Sequence, residues 1–211
     1  MRQFAIFFLF LSALRLSSQA PAGVPEKPVA DRTAVPVSTG VAEAEAAIAK
    51  SDWKAAEAKL DPWLAGHPAD ARALFDSGYV ADAQDHLADA EGLYRRALDA
   101  DPKSFEAHLS LGLLLARQGK EEDARPELAI ATHLDAGDAG PAMKARAWRA
   151  LARIDRPAPG HPGDAGEASN ELLEALKLSP ETSADTLMAA QIADEDGEYP
   201  AAETAYRRVL A

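Results

Sequence analysis

The 211-residue chain contains no cysteine. That absence excludes disulfides, thiolate zinc sites, iron–sulfur ligation by cysteine, cysteine nucleophiles and a lipid-modified N-terminal cysteine. Basic residues are also few. Twenty-two Lys and Arg stand against 34 Asp and Glu, a formal net charge of −12. Such a chain binds nucleic acid and anionic membrane surfaces poorly, because phosphate contacts need clustered cations. Signatures of chemistry are missing too: no Gly-rich phosphate loop, no Gly-x-Ser-x-Gly elbow and no His-Glu-x-x-His occurs. The histidines at 67, 86, 108, 133 and 161 are never three or four residues apart, so no helix face pairs two imidazoles. The stretch "DEDGEY" at 194–199 has the acids of a calcium loop but not its spacing. Counted from Asp194, the sixth position is Tyr199 and the twelfth is Ala205. "GHPAD" at 66–70 and "GHPGD" at 160–164 read as turns, which use Gly, Pro and Asp for their backbone preferences. These patterns predict a non-enzymatic chain with no catalytic, cofactor-binding or metal residues.

Long apolar runs are scarce. The stretch Phe4 to Leu14 spans eleven residues, too short to cross a bilayer as a helix. Arg2 precedes it and small residues follow, the order of a secretory signal peptide. Cleavage after Ala22 in "APA" leaves Gly23, whereas cleavage after Ala20 would leave Pro21 at the new terminus. The expected segment is therefore 1–22. The mature protein would be periplasmic or secreted with no membrane insertion, or membrane-tethered if the segment is retained. Residues 1–22 carry Arg2 and Arg15 and no acid, so their removal takes the charge from −12 to −14. Residues 23–38, with Pro25, Pro28 and Pro36, predict a disordered linker.

From Thr39 the chain is rich in Ala, Leu and Glu and repeats itself. Ala56, Ala90 and Ala124 are 34 residues apart, as are Leu60, Tyr94 and Leu128, and Ala44, Gly78 and Gly112. Ala168 and Ala202 keep the same period, and so do Leu172 and Tyr206. "AEGLYRRALD" at 90–99 returns as "AETAYRRVLA" at 202–211, offset by three periods plus ten residues. The extra ten have a home in the Pro/Gly-rich "DRPAPGHPGD" at 155–164. The units run 39–70, 71–104, 105–138, about 139–180 with the insertion near 155–164, and an incomplete 181–211.

The best unit, 71–104, has Leu74, Gly78, Ala90, Tyr94 and Pro102 in order. The next has Leu111-Gly112, Gly119, Ala124, Leu128 and Ala131, and the last has Ala189-Ala190, Gly197, Tyr199, Ala202 and Tyr206. This pattern resembles the tetratricopeptide repeat family. The resemblance implies an all-α fold: a right-handed α-solenoid of about five helix–turn–helix repeats, in which stacked pairs bury what one pair cannot. It also implies a concave groove lined by the first helix of each pair.

On that groove the family geometry sets Phe75, Tyr79, Leu109, Leu113 and Arg117. Arg146, Arg149 and Arg153, at i, i+3 and i+7, share one face of the helix that follows. An apolar floor running into a cationic wall would suit a protein or peptide partner with an acidic group or a C-terminal carboxylate. The plainer alternative is a solvated Arg face balancing nearby acids, with Phe75 and Tyr79 packed between repeats. Family members that clamp carboxylates use Lys, Asn and Arg. Tyr79 and Leu113 stand here where Asn would be, so that particular clamp is not expected. The functional expectation is an exported, non-enzymatic scaffold or adaptor binding a protein or peptide, in cell-envelope assembly. The alternatives are a fragment or regulatory part of a larger envelope enzyme, or a small-ligand or glycan binder. The chain stops at Ala211 before the Pro that ends the equivalent unit, which predicts a longer natural array. If that ending is genuine, the open last repeat would be a face for self-association.

Overall fold

Small side chains at fixed intervals let helices approach closely, and the computed structural model shows where they do so. It describes residues 38–158 and 163–210. The expected signal peptide, the linker up to residue 37, the middle of the insertion with His161, and Ala211 lie outside the described residues. Those described form ten α-helices in five consecutive pairs: α1 (Thr39–Ile48) with α2 (Trp53–Gly66), α3 (Ala71–Ala83) with α4 (Leu87–Ala100), α5 (Phe105–Arg117) with α6 (Glu121–His133), α7 (Gly140–Asp155) with α8 (Ala165–Leu178), and α9 (Ser183–Glu195) with α10 (Tyr199–Leu210). A short 3-10 turn, Gly137–Ala139, leads into α7. No helix among the described residues is long and apolar enough to cross a membrane.

The caps explain where the helices begin. Ser38, Asp52, Asp70, Ser104 and Asp164 each accept a hydrogen bond from a backbone N–H two or three residues on, satisfying donors that the first helical turn leaves free. Thr182 and Asp185 form a reciprocal capping box at the start of α9. Asp70 also accepts from the Trp63 indole N–H at 2.8 Å, tying the end of α2 to the start of α3. The aspartates of the two "GHP" stretches are thus N-caps, Asp70 of α3 and Asp164 of α8.

The turn inside each pair has its own rule. Ser51, Asp85, Gly119 and Gly197 all have φ between 56° and 83°. Their spacing is one period, one period, and then two periods plus ten. The position missing from the series falls in the fourth pair, where α7 runs on to Asp155 and the insertion replaces the tight turn. The two ends of that insertion meet. Asp164 N–H donates to the Asp155 carbonyl at 2.8 Å, and a Cβ on Gly163 would fall within 2.3 Å of that same oxygen.

Within the pairs, Ala56, Ala90, Ala124 and Ala168 are fully buried. Gly78 lies against the Tyr94 ring and Gly112 against Leu128, so close that a Cβ would sit 2.7 and 2.6 Å from their carbons. A large residue on the second helix therefore fills the notch left by a glycine 16 residues earlier. The core runs through the array, with Val41, Leu60 and Val80 at one end, Tyr94, Phe105, Leu111, Leu115, Leu128 and Ile154 in the middle, and Leu172 with Ile192 at the other. Each buried Leu or Ile contributes about 1.5–3 kcal/mol. Besides packing on its chain neighbours, α1 meets α3, α3 meets α5 and α5 meets α7. First helices come closer to one another than second helices do, so they line the inner face of the array.

Candidate functional site

The inner face opens into a cavity of about 200 Å³. Phe75 and Tyr79 of α3, Leu109, Leu113 and Arg117 of α5, and Met143 with Arg146 of α7 line it, and Tyr94 of α4 forms its base. Helical spacing makes this possible. Phe75 and Tyr79 are i, i+4 on one helix, as are Leu109 and Leu113 on the next, so two short apolar rows face each other. Tyr79 is 44% exposed and its ring meets Trp53 edge-on at 6.3 Å. Tyr94 is fully buried against Phe75, with ring centroids 5.8 Å apart. Its hydroxyl, beside Ser110, has no hydrogen-bond partner of good geometry. Burial pushes the Tyr94 phenol well above its ordinary pKa, helped by the charge of Asp82.

Six of the eight residues that the sequence suggests for the groove meet around this cavity: Phe75, Tyr79, Leu109, Leu113, Arg117 and Arg146. Leu109 is buried in its floor. Arg117 is bound to Asp82 of the preceding pair, so its charge is already partly matched. Arg146 is exposed and meets the Met143 sulfur at 3.4 Å.

Arg149 and Arg153 stand apart from the cavity. Arg149 turns towards the next pair and grips Asp185 through two hydrogen bonds of 2.7 and 2.9 Å, with further bonds to the Ser179 hydroxyl and the Pro180 carbonyl. Asp185 is 2% exposed in its side chain. Burial pushes its carboxyl up, but hydrogen bonds from Arg149 and Thr182 outweigh that and hold it below the usual range. Arg153 is exposed. Arg156 bonds to Gln191 and lies 3.8 Å from Glu195. The basic stripe is thus divided. Arg149 and Arg156 fasten α7 to α9, and Arg146 remains at the groove.

A second group of ionisable residues lies where α7, the insertion and α8 meet. Oxygens of Asp155, Glu167 and Glu171 lie within 4.8 Å of one another, and Arg125 of α6 is bound to Asp155. Three carboxylates at this distance are the kind of oxygen set that holds a hard divalent cation. Arg125 already supplies a positive charge there. Glu171 is pushed up to about 8 by its burial and by the Asp155 charge and hydrogen bond beside it. The arrangement joins α6, α7 and α8 through adjacent carboxyl groups and the Arg125 guanidinium. A cleft of about 450 Å³ opens next to it, lined by the acidic first turn of α6 with Arg125 and Ile154.

Regular pairs of short helices around an inner groove define a helical-repeat protein, a class that works through surfaces more than through reaction centres. Residues 41–104 and 77–141 match the family model of the tetratricopeptide repeat, just under half of the chain. Solved structures share the fold. YrrB, a TPR protein with an unusual peptide-binding site, is 18% identical, with a TM-score of 0.67 over 81% of this chain and 83% of its own. MamA from Desulfovibrio magneticus RS-1 is 16% identical, with a TM-score of 0.66 over 81% and 91%. Pseudomonas aeruginosa pilF is 19% identical, with a TM-score of 0.64 over 81% and 73%. At these identities the likeness is one of fold. No curated protein matches the sequence.

Proposed function

We propose that this protein is an exported, non-enzymatic scaffold that holds a segment of a partner protein in the groove between α3, α5 and α7, in the assembly of the cell envelope. The observation that carries the binding reading is the cavity itself. It joins an exposed aromatic, Tyr79, to an apolar floor of Phe75, Leu109 and Leu113, above a buried Tyr94 hydroxyl with only Ser110, in poor geometry, beside it. An apolar side chain from a peptide would cover the floor, and a polar atom of the same peptide would meet the hydroxyl. Arg146 at the edge gives an acidic side chain or a terminal carboxylate a charge-assisted contact. YrrB, on a similar fold, has a peptide-binding site, which supports peptide binding as a use of this fold. Export rests on the sequence of residues 1–22.

The test is a pull-down from envelope extract with Leu113→Glu and Arg146→Glu, against Ile130→Glu on the exposed side of α6 as control. The groove variants lose partners that the wild type and the control retain. Equal capture by the wild type and all three correctly folded variants would contradict the proposal. Arg149 is unsuitable for this purpose, because its replacement breaks the contact with Asp185 and disturbs the array.

A further inference from the structure

Beside the apolar cavity lies a second one, of about 360 Å³, that shares Phe75 and Glu106 with it. Its lining has the opposite character to the Arg146 edge. Glu45 of α1, Asp76 of α3, Asp101 and Glu106 around the start of α5, and Asp138 of the 3-10 turn all contribute carboxyl groups. Arg72 is the single cation in that lining, and it is bound to Glu45. Asp76 is only 7% exposed, and its Oδ2 is buried with no hydrogen-bond partner. A helix interior does not ordinarily hold a carboxyl oxygen in that condition, since an unmet buried acceptor carries the full cost of its desolvation.

We infer that this acidic cavity is a subsite for a cationic side chain, the guanidinium or ammonium group of an Arg or Lys in the partner segment, next to the apolar residue held over Phe75 and Leu109. The inference rests on the groove reading above and adds a chemical specification to it. An N–H donor from the ligand would meet Asp76 Oδ2, the surrounding carboxylates would supply the counter-charge, and the Phe75 ring would offer a face to the cation. The groove would then be bipolar, acidic at the α1 end and basic at Arg146, which fixes the direction in which a segment lies.

The titration of Asp76 gives an independent readout. Burial and the charge of Glu45 raise its carboxyl to about 7, against the pull of Arg72 and with a further push from Asp70. Asp101, Glu106 and Asp138 face the same space and add negative charge. A bound cation favours the ionised carboxylate, so affinity rises as pH increases through about 7.

The experiment is an NMR titration of the full chain, isotopically labelled, at pH 8. The probes are N-acetyl-arginyl-leucinamide and N-acetyl-leucyl-argininamide, each with its counterpart containing citrulline, which keeps the shape and loses the charge. The proposal expects an arginine probe to shift the amides of Asp76, Phe75 and Glu106, with its citrulline form about tenfold weaker. Asp76→Asn, which keeps size and removes the charge, should abolish the difference without lowering the melting temperature. Equal binding of arginine and citrulline forms would overturn the subsite and leave the groove standing. Binding that survives Asp76→Asn with its charge preference intact would also overturn it. No shift at any of these amides, nor at Tyr79 or Leu113, with any probe would count against the subsite and the groove together. Calcium alone, if it moves the same amides and blocks the peptides, would reassign the cavity to a metal ion and overturn the proposal.

Discussion

Gly78 and Gly112 do at the residue scale what the 34-residue register demands: they clear space for Tyr94 and Leu128. A methyl group at either position would have to displace a side chain from 2.7 or 2.6 Å. Gly78→Ala and Gly112→Ala should each destabilise the fold by about 1–3 kcal/mol, seen as a lower urea midpoint at unchanged slope. The turn at Asp85, φ 60°, argues the other way. Asp85→Gly relieves a left-handed residue and should raise stability by about 0.5 kcal/mol. Glu171 supplies a pH effect. Its folded pKa of about 8 lies above the ordinary 4.5, so the folded state binds more protons across that interval. Stability therefore falls as pH rises from about 4.5 to about 8. Glu171→Gln should flatten that fall and raise the melting temperature at pH 8 while changing little at pH 4. The glycines and their large partners were legible in the sequence, because both recur at the period. The burial of Glu171 and Asp76 was not. Each reads as an ordinary polar residue on a helix, and neighbours brought in from other helices help to enclose it.

At the scale of the helices, the fourth pair shows how the pattern absorbs an insertion. The first three turns and the last share one left-handed position. In the fourth, the Pro/Gly segment replaces that turn and the register resumes ten residues later. The sequence could locate this break because Ala168 and Ala202 return to the period. It could not show what holds α7 against α9. The Arg149 contact with Asp185 spans 36 residues, and from spacing alone the arginine belonged with Arg146 and Arg153 on a groove face. In the fold its guanidinium reaches the start of α9, where it also donates to the Ser179 hydroxyl and the Pro180 carbonyl, while Thr182 holds Asp185 from the other side. Arg149→Ala leaves a buried carboxylate without its cation and should cost about 2–3 kcal/mol. Hydrogen exchange should quicken in α9 and α10 and stay slow in α3 to α6, because neighbouring pairs carry stability locally. Asp185 is held below its ordinary 3.8. The stability it contributes is present above that value and is lost as the pH falls through its lowered pKa.

Over the whole molecule, the paired helices followed from periodicity, and the choice of first helices for the groove followed from the resemblance to the tetratricopeptide repeat. Six of the eight suggested groove residues meet at one cavity because i, i+4 neighbours on successive first helices are brought side by side. The acidic cavity escaped notice for the same physical reason that makes it interesting. Its carboxyl groups come from residues as far apart as Glu45 and Asp138, and no local pattern links them. The resulting surface has an apolar centre between an acidic end and a basic end. The claim that this surface is where a partner binds is tested most directly by site-specific photo-crosslinking. A benzophenone side chain is placed at Tyr79 or Leu113, and at Ile130 on α6 for comparison, with the adducts identified by mass spectrometry after crosslinking in cells. The account predicts a discrete partner adduct from positions 79 and 113 that is absent from position 130. An adduct formed equally from position 130, or from position 130 alone, would contradict it.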